Sequence, residues 1–180
     1  MSLREKLKAD IAHLTTSVPG KPKPVILLFF VKKHIRIVVL YRILNHYYLR
    51  RNKLALLLLS PLQLYYRLMT NRYCVDISHK TKIGKGFKLN HSYGIVVNIR
   101  TEIGENVYIG HNVTIGSNSP EKFPVIGNNV TIYTGSIIIG DVKIGDNVII
   151  GAGSLVVKDI PANTVVGGHA CRVLKQAELT

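Results

Sequence analysis

Aliphatic residues recur at every sixth position between residues 77 and 156. Glycine or an Asn-containing triplet such as "GEN", "GNN" or "GDN" often follows them, and these residues tolerate the positive φ of tight corners. The aliphatic positions are Ile77, Ile83, Leu89, Ile95, Ile103, Ile109, Ile115, Ile126, Ile132, Ile138, Ile144, Ile150 and Val156. A period of six fits neither an α-helix, with about 3.6 residues per turn, nor a simple strand, with a period of about two. It predicts a β-helix, a prism of short strands that each direct one aliphatic side chain inward.

Two interruptions break this period. The spacing is eight from Ile95 to Ile103, directly after the stretch "LNHSYGIVVN" that contains His91. It is eleven from Ile115 to Ile126, where "SNSPEKFP" predicts a loop that leaves the prism. Insertions in repeat proteins collect on one face, which is often the binding face. The interruptions therefore predict a functional surface near His91 and near the loop.

The N-terminal part of the chain is strongly basic. Residues 1–73 hold 14 Lys+Arg and 2 Asp+Glu, a net +12, whereas residues 74–180 hold 10 and 8, a net +2, which together make the +14 of the chain. Such a segment is expected to meet an anionic partner: acidic phospholipid, an acidic polymer or nucleic acid. Its composition favours helices, the last opening at Ser60-Pro61 and ending near Thr70. These helices pack on the β-helix or on other subunits, form a basic membrane-surface element, or do both.

No feature of the sequence indicates a secretory signal or a membrane span. The apolar runs at 25–31 and 54–59 are shorter than the ~20 residues that a spanning helix needs. We therefore expect a cytoplasmic protein, with or without contact to the inner face of the cytoplasmic membrane. Cys74 and Cys171 are too isolated to indicate a disulfide framework or a metal site.

Three stretches, residues 75–97, 122–130 and 144–173, resemble the hexapeptide-repeat acyltransferases, and within them the serine O-acetyltransferase branch. The resemblance implies a mainly β fold, a left-handed parallel β-helix over 74–173, after a basic helical region at 1–73 and before a tail at 174–180. It also implies acetyl-CoA as co-substrate, no metal, and a homotrimer whose N-terminal helices could pair two trimers.

The resemblance places a catalytic dyad at Asp76 and His91. In that family an Asp in a "DIHP"-like motif is followed fifteen residues later by a His in an "LDH"-like motif, and here "VDISHK" and "LNH" match. The implied chemistry is a direct transfer without a covalent enzyme intermediate. A neutral His91 removes the proton of the acceptor hydroxyl, and Asp76 fixes the tautomer of the imidazole.

The chain departs from the serine enzymes where those enzymes recognise the amino acid. Lys122 and Phe123 replace the Arg and His of an "RHP" motif, Asn98-Ile99 stands where a Glu is expected, and Asn90 replaces an Asp. A site without these groups should not hold zwitterionic serine well. The polysaccharide O-acetyltransferases of colanic-acid and capsule type match more closely.

The expected acceptor is therefore a saccharide hydroxyl, on a polymer, a lipid-linked precursor or a nucleotide sugar. The residues predicted to contact it are Asn90, Tyr93, Lys122 and Phe123. Serine O-acetylation for cysteine synthesis and a non-catalytic scaffold stay as alternatives. Nucleic acid is not expected, because no recognised binding module is present.

For the donor, the resemblance places the pantetheine arm of acetyl-CoA in a groove between adjacent β-helices. The main chain around Ser117, Thr134 and Ala152 is expected to line it, and Lys158 and Arg172 are expected to meet the nucleotide phosphates. We interpret His79 and His111 as solvated corner residues, and we predict no role for His169 and Cys171.

Overall fold

The computed structural model of the protein describes residues 2–15, 29–30 and 32–168. The helices are α1 (Leu3–Thr15), α2 (Lys33–Leu49), α3 (Lys53–Leu58) and α4 (Ser60–Arg72). The strands are β1 (Val75–Ile77), β2 (Lys82–Ile83), β3 (Lys88–Leu89), β4 (Ile95–Val97), β5 (Glu102–Ile103), β6 (Tyr108–Ile109), β7 (Thr114–Gly116), β8 (Val125–Ile126), β9 (Thr131–Ile132), β10 (Ile137–Ile139), β11 (Lys143–Ile144), β12 (Ile149–Ile150), β13 (Leu155–Val156) and β14 (Val165–Val166). The predicted boundary between residues 73 and 74 falls in the turn between α4 and β1.

The strands form the three faces of a prism. Sheet A has the order β1-β4-β7-β10-β13, sheet B has β2-β5-β8-β11, and sheet C has β3-β6-β9-β12-β14, all with parallel pairing. Each strand pairs with the strand one turn later, so the chain winds five times around one axis. Inward aliphatics stack in register, as in the fully buried ladder Ile109–Ile132–Ile150 of sheet C. The six-residue period thus predicted the architecture correctly.

The first interruption lies at a different place from the one predicted. Strand pairing aligns Ile77 with Val97 rather than with Ile95. Ile95 is a second inward residue of the same strand, and it is fully buried. Because Ile95 happens to lie six residues after Leu89, the sequence pattern did not show that the period is interrupted before β4. The two extra residues therefore precede β4, in the corner that carries His91. The second interruption is where it was predicted, because a loop at 117–124 separates β7 from β8.

A buried ion pair docks the N-terminal helices on the first turn of the prism. Arg42 of α2 pairs with Asp10 of α1 at 2.5 Å (Nε to Oδ2), and both side chains are fully buried. Arg42 also donates hydrogen bonds to the carbonyl oxygens of Ile83 (2.7 Å) and Gly84. Asp10 accepts the backbone N–H of Phe87 at 2.8 Å. The interpretation that helices pack on the β-helix is confirmed for α1 and α2.

Helices α3 and α4 form a hairpin with one face on the prism. The hydroxyl of the buried Tyr66 donates to the carbonyl of Ile77 at 2.7 Å. Helix α4 begins at Ser60, which is therefore the first helical residue rather than the predicted cap, and ends at Arg72. The opposite face of the hairpin exposes five leucines, each by 59–73% of its surface: Leu54, Leu57, Leu58, Leu64 and Leu68. Among the described helices, none has the length and apolar character to cross a membrane.

Candidate active site

His91 stands on a corner with an unusual backbone. Its φ is +50°, and its side chain is exposed. Left-handed backbone is uncommon outside glycine, although Asn, Asp and His adopt it more readily than most residues. Most other non-glycine positions with positive φ here are corner asparagines, such as Asn112 and Asn129. His91 adds a left-handed, ionisable residue to this corner, whereas the corner asparagine of the next turn, Asn112, lies against Gly94.

A column of residues continues from His91 along one edge of the prism, between sheets C and A. Each member lies two positions after a stacked inward aliphatic of sheet C. The members are His91, His111, Thr134 and Ala152, and we call this column the His91 edge. It brings two of the predicted donor contacts, Thr134 and Ala152, into line with the predicted base.

His111 belongs to this column, and the prediction that it is simply solvated is wrong. Its half-buried ring meets the ring of His91 edge-on, with 5.9 Å between centroids. Its Nδ1 lies 3.2 Å from the hydroxyl oxygen of Thr134. The signal in the sequence was the spacing of twenty that His91 to His111 shares with Leu89 to Ile109.

The remaining predicted contacts lie on another edge, between sheets A and B, which we call the loop edge. Ser117 and Lys158 each stand two positions after an inward aliphatic of sheet A, and the 117–124 loop projects from the same edge. The hydroxyl of Ser117 donates to the carbonyl of Ser119 at 2.8 Å and also contacts the carbonyl of Lys122. Ser117 therefore closes the loop on itself.

The loop edge also holds the two predicted acceptor residues Lys122 and Phe123. The ammonium of Lys122 pairs with Asp141 at 3.1 Å, and the guanidinium of Arg100 lies 5.2 Å from the ring centre of Phe123. A three-sided prism keeps its edges apart. A single chain therefore does not bring these residues to His91.

Asp76 lies in the middle of β1 with an exposed, outward side chain. It lines a cavity of about 730 Å³ between β1 and α4. No hydrogen bond or ion pair joins Asp76 to His91 within the part of the chain that the structure describes. His91 lines a separate groove. Tyr73, at the end of α4, lines the groove of His91, whereas the neighbouring Cys74 lines the cavity of Asp76, so the junction of α4 and β1 lies between them. The described side chains therefore do not form the predicted dyad in this conformation.

Asn90 and Tyr93 flank His91 at the bulged corner. The amide of Asn90 donates to the hydroxyl of Tyr108 at 2.7 Å, which ties the corner to the next turn. The ring of Tyr93 is 52% exposed beside the corner. Both predicted acceptor residues therefore lie on the His91 side of the prism. The predicted phosphate contact Arg172 lies outside the described residues, as do His169 and Cys171.

No pattern in the sequence predicted the groove of about 500 Å³ into which His91 opens. Its basic lining comes from the cap and first turn of α2, from β3 and from the corner after β3. These residues are Lys32, Lys33, His34, Arg36, Lys88 and His91. Burial lowers the pKa of Lys88, and burial followed by the charge of Lys32 lowers the pKa of His34. Sequence reasoning missed this set because its members meet only when α2 docks on the first turn.

Comparisons with known proteins agree with this architecture. A family model described as "Bacterial transferase hexapeptide (six repeats)" matches residues 123–158. The putative colanic acid biosynthesis acetyltransferase WcaB of Escherichia coli K12 is 35% identical over 127 residues, which are 69% of this chain and 78% of WcaB. This chain belongs to the hexapeptide-repeat acyltransferases.

Other hexapeptide-repeat acyltransferases match over shorter shares of their length. Chloroplastic serine acetyltransferase 1 of Arabidopsis thaliana is 42% identical over 109 residues, and the match covers 59% of this chain but only 35% of the plant protein. The soybean serine acetyltransferase apoenzyme superposes with a TM-score of 0.75 at 32% identity, covering 95% of this chain and 68% of the soybean chain. The predicted fold, a left-handed parallel β-helix after a helical N-terminal region, is confirmed.

Proposed function

We propose that the protein is an acetyl-CoA-dependent O-acetyltransferase that acts on a saccharide hydroxyl in bacterial surface-polysaccharide biosynthesis. The observation that carries this proposal is the match to WcaB, which extends over 78% of that relative. The replacement of the expected serine-recognition residues by Asn90, Ile99, Lys122 and Phe123 supports it. The buried core of the β-helix and the exposed edges suit a rigid scaffold that presents reactive groups at its corners.

In the proposed mechanism His91 acts as general base. The imidazole accepts the proton of the acceptor hydroxyl while the oxygen attacks the thioester carbonyl carbon. The tetrahedral intermediate then collapses, the carbon–sulfur bond breaks, and the leaving CoA thiolate takes the proton from the imidazolium. The thioester is already activated, so alignment of donor and acceptor beside the base supplies most of the acceleration.

The proposed orienter is Asp76. An orienting carboxylate fixes the tautomer of the base and stabilises the imidazolium. Because no hydrogen bond joins Asp76 to His91 among the described residues, engagement of Asp76 requires either rotation of the side chains or a contact supplied by an adjacent copy.

We propose that the working unit is a homotrimer in which the His91 edge of one copy faces the loop edge of the next. Acetyl-CoA then lies in the groove between two β-helices. Thr134 and Ala152 of one copy and Ser117 and Lys158 of its neighbour line the pantetheine arm and the nucleotide. The separation of these residues on two edges of one chain supports this arrangement.

We further propose that the hairpin of α3 and α4 rests on the inner face of the cytoplasmic membrane. Its exposed leucines form an apolar surface, and Arg50, Arg51 and Lys53 lie beside it. The sequence has no acidic residue between Asp10 and Asp76, so this surface complements acidic phospholipid.

The test of the catalytic proposal is the variant His91→Ala. Loss of a general base is expected to lower the rate of acetyl transfer about 100-fold or more. The assay follows thiol release from acetyl-CoA with a panel of saccharides, and the circular dichroism spectrum and oligomeric state are expected to stay unchanged. His46→Ala, in the last turn of α2, is the matched control. A fully active His91→Ala variant would overturn the mechanism.

Serine O-acetylation is the second candidate, and the match to the soybean and Arabidopsis serine acetyltransferases favours it. The same assay with L-serine separates the two. Transfer to L-serine at rates equal to or above those for every saccharide would replace the saccharide proposal.

A further inference from the structure

The groove beside His91 carries a concentrated positive charge. Lys32, Lys33, Arg36 and Lys88 line it, and no carboxylate is among its described lining residues. The helices α2, α3 and α4 cannot supply one, because residues 11–75 contain no Asp or Glu. The described residues that line the groove therefore supply several positive charges and no carboxylate.

Lys33, Arg36 and Lys88 are partly or largely buried, whereas the side chain of Lys32 is exposed. Lys88 is only 9% exposed, and its ammonium lies 5.9 Å from the ring centre of Tyr108. The ammonium of Lys33 lies 4.6 Å from the ring centre of Tyr73. The Nε of Arg36 is buried and has no hydrogen-bond partner among the described residues. A buried donor without a partner is costly, and a bound anion would satisfy it.

The start of α2 adds to this field. Lys32 caps the helix without a side-chain hydrogen bond, and the first turn contains no acidic residue. The exposed N–H groups of the first turn carry a partial positive charge. Burial lowers the pKa of Lys88 and of His34, and neighbouring cations lower the pKa of His34 further, as expected for a crowded basic site.

We propose that this groove binds an anionic group, a carboxylate or a phosphate, carried by the acceptor saccharide. The inference rests on the proposed function and names the acceptor class: an acidic sugar whose charged group sits against Lys32, Lys33 and Arg36 while a hydroxyl of the same or the adjacent sugar reaches His91. The charge then selects and orients the acceptor at the base.

The position of the groove separates it from the proposed donor path. The His91 edge runs from His91 through His111 and Thr134 to Ala152, towards the later turns of the prism. The groove lies on the other side of His91, against the helices that cover the first turn. An acceptor in the groove and a donor along the edge would therefore approach His91 from opposite sides.

The experiment measures binding to the full-length protein without acetyl-CoA. Ligand-observed NMR titrations use tri-galacturonate as the carboxylate probe, glucose 1-phosphate as the phosphate probe and maltotriose as the neutral probe. Lys32→Gln/Lys33→Gln and, separately, Arg36→Gln remove groove charge. Arg4→Gln/Lys8→Gln, on the exposed surface of α1 and outside the groove, removes the same charge as the double variant and is its matched control. Circular dichroism verifies the fold of each variant.

We expect the groove variants to weaken binding of at least one anionic probe about tenfold, as for loss of a charge-assisted hydrogen bond. The control variant should change it less than about twofold, and maltotriose should bind weakly to all proteins. The anionic probe that responds identifies the group as a carboxylate or a phosphate.

Two results would overturn the inference: unchanged affinity in both groove variants, or an equal loss of affinity in the control. The titrations contain no transfer step. Anion binding without any acetyl transfer would therefore contradict only the proposed function, and transfer without groove effects would contradict only this inference.

Discussion

At the scale of single residues, His91 depends on its neighbours in the corner column. The edge-on ring of His111 limits the orientations of the imidazole, and Thr134 fixes His111 in turn. We expect His111→Ala to lower kcat about tenfold to a hundredfold, because a misoriented base loses alignment with its substrates. Steady-state kinetics with acetyl-CoA and a responsive saccharide would measure it.

Thr134→Val is a smaller change in the same column, because it keeps the shape of the side chain and removes only the hydroxyl that contacts His111. A smaller loss of kcat than in His111→Ala is expected. Unchanged kcat in His111→Ala would show that the ring of His111 packs against His91 without orienting it for catalysis.

The sequence could predict His91 as the candidate base but not the side chains that lie around it. His91 and Asp76 stand in recognisable motifs, whereas the role of His111 follows from strand register. That register was ambiguous because Ile95 and Val97 are both aliphatic and both point inward. Only the pairing of β1 with β4 decides which of them continues the ladder.

At the scale of elements, one buried ion pair joins α1 and α2 where they dock on the first turn. Asp10→Ala leaves the guanidinium of Arg42 buried without its counter-charge, and removal of one partner of a buried pair costs about 3–5 kcal/mol. The exposed pair Lys82–Glu102 is the contrast, and Glu102→Ala should cost at most about 1 kcal/mol. Urea denaturation gives both free energies of unfolding, and equal losses would show that Asp10 does not anchor the helices.

The hairpin of α3 and α4 is the element that we expect at the membrane. Leu54→Ser/Leu57→Ser/Leu58→Ser should abolish co-sedimentation with vesicles that contain phosphatidylglycerol, because the apolar contact is lost while the basic charge stays. Val165→Ser, an exposed aliphatic of β14, is the control. Binding that survives the triple substitution, or wild-type protein that ignores these vesicles, would contradict the membrane proposal.

The sequence indicated that helices could pack on the β-helix, but it could not show which residues dock them. The composition of residues 1–73 indicated helices and a basic character, but Asp10 looked like one of two isolated acids. Its buried pairing with Arg42 depends on the distance between α1 and α2 in the folded chain. The same docking creates the basic groove, so that groove could not be predicted either.

At the scale of the whole molecule, the six-residue period predicted the prism because each repeat supplies one short strand with one inward aliphatic side chain. The same period therefore sets how successive turns stack. It could not show that the predicted contacts divide between two edges. Thr134 and Ala152 lie on the His91 edge, whereas Ser117 and Lys158 lie on the loop edge. A site that uses both edges is complete only between two copies.

This division makes a testable prediction about mixed assemblies. His91→Ala damages the His91 edge, and Lys158→Glu opposes the nucleotide phosphates on the loop edge, so each variant alone should transfer acetyl groups poorly at sub-saturating acetyl-CoA. In a head-to-tail ring each copy gives one edge to each neighbour. A randomly co-assembled equal mixture therefore contains intact sites at about one quarter of its interfaces. Co-expression with two affinity tags and tandem purification would isolate the mixed species. Recovered activity would support a site that is shared between copies. If the mixed assemblies were as inactive as either variant alone, both edges of each site would have to come from one chain.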